Sequence, residues 1–413
     1  MTSSTWAVLR FKFADDTSAT LPDSHYQRLF TGAGTGSFNM VDFFSDMSNG
    51  NLDLSASQVF GWFTLPINRA DYGGVLAGPG QYDRPAIEKL CKQTAASNGV
   101  NLSAFNGTLI AFNGRVDLFG DVGGMTAACD SFSDPSGLGE EMGHGYGLDH
   151  SRRDGSTQDY RDPWDVMSNF TPYMARSQEW GNIGPELNAC CMASQGWLDE
   201  SRIWLPPNSP FNNAVLELRP LHRPDLPGHL ALSLDRYLIE YRPAQRWDAG
   251  FPRSAVFVHR FEDNHSYVMA GTAGNCDLQP GDSFESGSEQ FSYYPWGKAE
   301  VISINDNDLT ASLNVSYRPN SIWRPPIFDG GGIIIGGVFH PIPSRGPENK
   351  IVSQLVNYIN AADITDVGLQ NQVRQTALEA IGRVVSTTSG QLDPIRSPAP
   401  RKNEEDSSSQ SHT

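Results

Sequence analysis

The sequence is poor in basic residues. Its 413 residues include 30 Lys and Arg against 47 Asp and Glu, which gives a formal net charge of −17 at pH 7. A protein that binds the phosphate backbone of a nucleic acid needs clustered Lys and Arg to replace the counterions that it displaces. We therefore expect no nucleic-acid partner. The acidic balance favours solubility and a neutral or cationic substrate.

Long apolar runs and a disulfide pattern of cysteines are also missing. The longest apolar candidate, Ile333–Ile335, is flanked by glycines and is too short to cross a bilayer, so we expect no membrane span. The five cysteines are too few and too scattered for a disulfide framework. The N-terminus lacks the basic and apolar regions of a signal peptide, which favours a cytoplasmic protein. The oligomeric state is left open.

Strand and helix patterns alternate through the first part of the chain. They predict a strand, a helix, a strand, a helix and a strand at Trp6–Phe13, Asn39–Ser48, Gln58–Leu65, Asp83–Ala96 and Thr108–Phe112. This order is typical of a mixed sheet with helices packed on it. We therefore predict an α+β fold, with residues 1–200 as its first domain.

Helical periodicity fades in the following part of the chain. Short apolar runs such as Tyr237–Tyr241 and Ala255–Val258 follow one another there, and each is typical of a strand. We predict a β-rich second domain over residues 201–320, of the sandwich type; the alternative is that these strands extend the first domain's sheet. Pro319–Gly337 predicts a linker, and the rest of residues 321–413 predicts two amphipathic helices and a disordered polar tail.

The segment Glu140–His150 contains the residue types of a metal site. If its first part is helical, positions four apart lie on one face, so Glu140 and His144 reach a common point beside Glu141. Two glycines follow His144, and a sharp turn there would return the chain so that His150 meets the same point. Three ligands, an open fourth position and an adjacent carboxylate make up a catalytic zinc site.

This segment resembles the metzincin signature of zinc metallopeptidases, His-Glu-x-x-His-x-x-Gly-x-x-His, with glutamate in place of the first histidine. Downstream, Asp162–Ser168 resembles the methionine turn that underlies the metal in those enzymes, with Met167 as its methionine. Stretches such as Gly61–Pro66 and Gly196–Leu198 are similar to the immune-inhibitor-A and gametolysin-like branch. The resemblance covers roughly residues 5–320 and implies a metzincin-like catalytic domain followed by a β-domain.

Carried over residue by residue, the resemblance implies that His144 and His150 bind Zn²⁺ and that Glu141 is the general base. Glu140 is assigned as the first ligand only because it stands where the family has its first histidine. Carboxylates do serve as ligands in active zinc sites of the two-His, one-Glu kind. The negative charge of Glu140 should make a metal-bound water less acidic. The implied activity is that of a zinc-dependent endopeptidase with a protein or peptide substrate. The family resemblance suggests secretion, so the compartment stays open.

Two other functions remain as alternatives. The first is an inactive pseudo-protease that keeps the metzincin fold and binds a partner. The replacement of the first histidine by Glu140 is the observation that supports this alternative. The second is a non-haem iron site of two histidines and one carboxylate, a triad in which the methionine turn has no role. Of the nearby polar residues, we expect Asp149 to bond backbone at the turn and His259 to be a core or edge residue, not a fourth ligand.

Overall fold

The computed structural model describes most of the chain up to residue 319 and three short strands beyond it. The described residues are 2–72, 83–168, 171–207, 209–287 and 296–319, with Ile327–Phe328, Gly332–Ile335 and Val338–Pro341. They belong to two compact units, Met1–Ser321 and Ile322–Thr413. The first unit combines helices with several sheets, which confirms the mixed α+β class.

The helices of the first unit are short. The α-helices are α1 Asp23–Phe30, α2 Met40–Met47, α3 Arg69–Tyr72, α4 Arg84–Ser97, α5 Pro135–Gly145 and α6 Ala189–Ser194. Single 3-10 turns lie at Gly32–Gly34, Leu102–Ala104, Glu200–Arg202 and Arg246–Asp248. The helices predicted at Asn39–Ser48 and Asp83–Ala96 are confirmed as α2 and α4. A capping box begins α2: the Asn39 side chain accepts from the backbone of Asp42, whose carboxylate accepts from the backbone of Asn39.

The first sheet has five strands. Their order is Gln58–Thr64, Trp6–Lys12, Gly107–Phe112, Thr126–Asp130 and Phe119–Asp121. The first four run parallel, and the edge strand Phe119–Asp121 is antiparallel to its neighbour. Val8 belongs to one apolar core and Leu9 to another, because successive side chains of a strand point to opposite faces. The three strands predicted from the sequence are all confirmed in this sheet.

Two further sheets are built mainly from later residues. The second sheet has the order Ile203–Trp204, Ala231–Leu234, Tyr237–Arg242, Ala255–Glu262, His265–Val268 and Arg152–Arg153. The third has the order Phe211–Leu218, Thr310–Arg318, Trp296–Asn305 and Ser283–Ser286. Leu232 and Val258 of the second sheet share an apolar core with Leu313 and Val315 of the third. No described strand after residue 201 pairs with the first sheet.

Residues on both sides of position 200 contribute to the second sheet. Its last strand, Arg152–Arg153, directly follows the candidate site and runs parallel to His265–Val268. The division into domains 1–200 and 201–320 stays a prediction, and the whole range lies within one compact unit. Two small sheets complete this unit: Thr2–Ser3 pairs with Leu52–Asp53, and Ala175–Ser177 with Gly181–Ile183.

The second unit has a three-stranded antiparallel sheet in its described residues, formed by Ile327–Phe328, Gly332–Ile335 and Val338–Pro341. The first two of these strands fall inside the segment that the sequence predicted to be a linker, where successive β-branched isoleucines favour extended backbone. The predicted amphipathic helices and polar tail lie outside the described residues. None of the described helices has both the length and the apolar character needed to span a bilayer.

Candidate metal centre

Helix α5 carries two of the three candidate ligands. It begins after Asp134, whose side chain accepts a hydrogen bond from the backbone N–H of Gly137 at 3.2 Å. Pro135 lies in the first turn, where a backbone N–H would have no partner within the helix. The helix ends at Gly145, and Gly147 then adopts φ +97°, a left-handed conformation that turns the chain back. This turn brings the third candidate towards the helix.

The three candidate ligands lie side by side. Glu140, His144 and His150 each offer one ligand atom, and these atoms are all within 4.8 Å of one another. Oε1 of Glu140 is 3.8 Å from Nε2 of His150, and the two imidazole rings meet edge to face with centroids 4.7 Å apart. Two ligand atoms on a tetrahedral zinc are about 3.3 Å apart. The group could therefore hold a metal ion after small side-chain movements.

His144 is already in the form that binds a metal. Its Nδ1 lies 2.7 Å from the backbone oxygen of Leu148, so Nδ1–H is the donor and Nε2 keeps its lone pair. Burial lowers the pKa of His144 to about 4, although the bond to Leu148 acts in the opposite direction. The imidazole is therefore neutral near neutral pH, as a ligand must be.

His150 is held through its backbone and its ring. Its backbone N–H donates to Oδ1 of Asp149 at 2.7 Å, which confirms the turn role predicted for that aspartate, and its carbonyl accepts from Nδ1 of His265 at 2.8 Å. In the ring, Nδ1 lies 3.3 Å from Oδ2 of Asp159, and Nε2 lies 2.9 Å from the hydroxyl of Tyr160. A carboxylate beside the second ring nitrogen is the usual support of a metal-binding histidine. Sequence spacing gave no signal for Asp159 or Tyr160.

Glu141, the predicted general base, lies outside the group of three. Its side chain is almost fully buried. Burial raises the pKa of Glu141 to about 8, while Arg84 lowers it and Asp117 raises it further. Arg84 forms a two-pronged ion pair with Asp117, with N–O distances of 2.6 and 3.0 Å. Sequence reasoning missed this pair, because α4 carries Arg84 from a distant part of the chain.

Met167 packs against helix α5, which carries two of the candidate ligands. A β-carbon placed on Gly143 would lie 2.8 Å from its sulfur, so the glycine leaves the room that this methionine occupies. The methionine loop, Asp162–Ser168, is hydrogen-bonded to Ser151, the residue after the candidate ligand His150. The backbone N–H of Ser151 donates to the Met167 carbonyl at 2.9 Å, and the Ser168 hydroxyl donates to the Ser151 carbonyl at 3.3 Å.

A buried histidine anchors the start of the same loop. Nε2 of His259 lies 2.9 Å from the carboxylate of Asp162, and Nδ1 lies 3.1 Å from the carboxylate of Glu240. Burial alone lowers a histidine pKa, but these two carboxylates outweigh it and raise the pKa of His259 to about 10. The imidazolium thus bridges the methionine loop to two strands of the second sheet. The sequence predicted His259 to be a core or edge residue, and it is buried in the core; its charge was missed.

A second set of buried hydrogen bonds ties the loop to the turn before α6. The Asn188 side chain donates to Asp165 at 2.6 Å and to the hydroxyl of Ser266 at 2.8 Å. The other carboxylate oxygen of Asp165 accepts from the hydroxyl of Ser151 at 3.0 Å. These bonds restrain the backbone that follows the candidate ligand His150.

Comparisons with known proteins add no relative. No protein-family model matches the chain, and a search of curated proteins finds no match. The resemblance to the metzincins therefore depends on the sequence motifs of this chain alone and stays a prediction.

Proposed function

We propose that this chain is a metzincin-like zinc metallopeptidase. In this proposal Glu140, His144 and His150 bind Zn²⁺, and Glu141 is the general base. The observation that supports it most directly is the grouping of the three ligand atoms within 4.8 Å, on a helix and the turn that follows it. One carboxylate and two imidazoles form a donor set that suits zinc in hydrolytic sites.

The surroundings of the group support the same proposal. A buried methionine underlies α5, in the order along the chain that the metzincin resemblance implies. The apolar core shared by the second and third sheets supports a β-sandwich after the catalytic domain. Neither feature is expected for an iron site of two histidines and one carboxylate, so we place that alternative last.

The edge of the first sheet supports a peptide substrate. The strand Phe119–Asp121 lies next to α5, and the backbone N–H of Gly123 just after it donates to the carbonyl of His144 at 2.8 Å. No described strand pairs with the outer side of this edge. An extended peptide can add to such an edge through main-chain hydrogen bonds, which would lay its backbone beside the ligands.

In this proposal each residue of the site has its own role in the reaction. A bound zinc ion would supply a water acidified enough to lose a proton near neutral pH. Beside a zinc ion, the pKa of the Glu141 carboxyl group would fall from about 8, so that the carboxylate could accept this proton and return it to the leaving amine. His144 would keep its orientation through Leu148, and His150 through Asp159 and its backbone. Burial of Glu141 would limit competition from bulk water.

The test combines metal analysis with a casein or peptide-library digest. We expect one zinc per chain, loss of zinc when both His144 and His150 become Ala, and hydrolysis by the wild type. Glu141→Gln should keep the zinc and lose hydrolysis, because an amide cannot accept the proton. Stoichiometric zinc in the double variant would show that the site lies elsewhere. Zinc without hydrolysis in the wild type would favour the pseudo-protease, for which Glu140 is the specific support.

A further inference from the structure

Tyr160 contacts His150, one of the three candidate ligands. Its hydroxyl lies 2.9 Å from Nε2 of His150, and the two rings pack with centroids 4.3 Å apart. Because Nδ1 of His150 faces the carboxylate of Asp159, Nε2 is the acceptor and the phenol is the donor. Tyr160 therefore bonds to the same lone pair that a metal would use.

The loop holds Tyr160 in this position by local structure. Tyr160 has φ +61°, a left-handed conformation that is uncommon for a residue with a bulky side chain. The preceding residue, Asp159, is fixed by Arg152 at 2.7 Å and by its approach to His150. Tyr160 as a whole is 47% exposed, so its side chain lies at the surface.

A negatively charged carboxylate near the Tyr160 hydroxyl also favours a cation at this place. Oε1 of Glu140 lies 3.8 Å from Nε2 of His150, the same nitrogen that the Tyr160 hydroxyl contacts. The hydroxyl therefore lies close to the candidate ligand atoms of both Glu140 and His150. A divalent cation at this place would meet two imidazole nitrogens, one carboxylate and the phenol oxygen.

Distances permit the phenol oxygen to share an ion with His150. Two ligand atoms on one zinc are about 2.9 Å apart at a right angle and about 3.3 Å apart in a tetrahedron. The observed separation of 2.9 Å between Nε2 and the hydroxyl falls at the short end of this range. For both atoms to bind one ion, the hydroxyl must leave the axis of the His150 lone pair and move to the side of the ion, which a rotation of the exposed Tyr160 side chain would allow.

We propose that Tyr160 is a fourth protein ligand of the metal centre, its phenol oxygen binding beside Glu140, His144 and His150. This inference rests on the proposed zinc site. When the ion takes the lone pair of His150, the O–H proton that bonded to it is released to solvent and an oxygen–metal bond replaces the hydrogen bond. Tyr160 would then fill the fourth position of the resting site, and the water that the proposed hydrolysis uses could bind there only after Tyr160 leaves.

Copper(II) is the probe, because a phenolate bound to it gives a charge-transfer absorption band in the visible range. The wild-type chain, loaded with one equivalent of Cu²⁺, should show this band, and Tyr160→Phe should lack it. The same variant should bind Zn²⁺ at least about tenfold more weakly in a chelator competition. The matched control is Tyr173→Phe, whose ring packs on Trp164 and Phe251. This control should keep both the band and the affinity.

The outcomes separate this inference from the proposed function. If Tyr160 only competes with the metal for His150, Tyr160→Phe will bind Zn²⁺ more tightly and its copper spectrum will equal that of the wild type. That result would overturn the fourth ligand and leave the zinc site intact. If the wild type and the His144→Ala, His150→Ala double variant bind metal equally, both proposals fail.

Discussion

The sulfur of Met167 lies against the backbone of Gly143, the residue before the candidate ligand His144. A β-carbon at Gly143 would come within 2.8 Å of that sulfur. The methionine loop and helix α5 therefore pack closely against each other at Gly143. The position of His144 depends on this fit, because α5 cannot move away from the loop without moving its ligands.

Gly143→Ala tests this relationship. The added methyl group should displace Met167 and lower the free energy of unfolding by about 1–3 kcal/mol, the usual cost of overpacking a filled core. Zinc affinity should fall as well, because α5 shifts under His144. Urea unfolding and chelator competition measure the two effects.

The matched control for that variant is Gly137→Ala in the first turn of the same helix. The nearest atom to a β-carbon there is Oδ1 of Asp134, at 4.0 Å, so the methyl group has room. Alanine is also the better helix former, and stability should stay equal or rise slightly. If the two variants have the same free energy of unfolding, the contact between Met167 and Gly143 does not contribute to stability.

His259 predicts a specific dependence of stability on pH. Its pKa is raised from 6.5 to about 10 in the folded chain. A group with a raised folded pKa stabilises fully below its unfolded pKa, and the stabilisation is lost as pH rises through the folded pKa. The contribution of His259 should therefore be complete below pH 6.5 and should decline between pH 6.5 and about 10.

His259→Gln removes the cation and leaves Asp162 and Glu240 buried without it. At mildly acidic to neutral pH the variant should be less stable by about 3–5 kcal/mol, the usual cost of breaking a buried ion pair. Towards pH 10 the wild type should lose its advantage, so the two urea midpoints should converge. A constant difference across the whole range would mean that His259 is not charged in the folded protein.

Local signals explain how much of the fold the sequence predicted. The capping residue Asn39, the alternation in Trp6–Phe13 and the proline near the start of α4 each act within a few residues, so the corresponding elements were predicted closely. The same holds for Glu140, His144 and His150, since a helix and one glycine turn bring them together. Their metal-binding role stays a prediction.

Local sequence signals could not predict the contacts between segments that are distant in the chain. The pair of Arg84 and Asp117 and the bridge from Asp162 through His259 to Glu240 join elements far apart in the chain. No spacing rule connects them, because they form only when the sheets pack. Tyr160 is close to His150 in sequence, yet its approach depends on a left-handed backbone conformation that a tyrosine does not signal.

Glu140→His tests the residue in which this chain departs from the metzincin pattern. Restoring histidine would complete a three-histidine ligand set and remove one negative charge beside the metal. Zinc affinity should rise, and if the wild type is a working peptidase, its rate near neutral pH should rise while its pH optimum moves down. Chelator competition and pH–rate profiles on a peptide substrate are the measurements.

Glu140→Gln is the control that separates ligation from charge. It keeps the size of the side chain and removes the charge, but an amide oxygen is a weaker zinc ligand than a carboxylate. If Glu140 binds the metal, affinity should fall in the Gln variant and rise in the His variant. Tighter zinc binding without any hydrolysis in Glu140→His would indicate a scaffold that has lost its substrate groove. Unchanged affinity in both variants would contradict the assignment of Glu140 as a ligand, because its side chain lies 3.8 Å from His150 and could not be altered without effect on a shared ion.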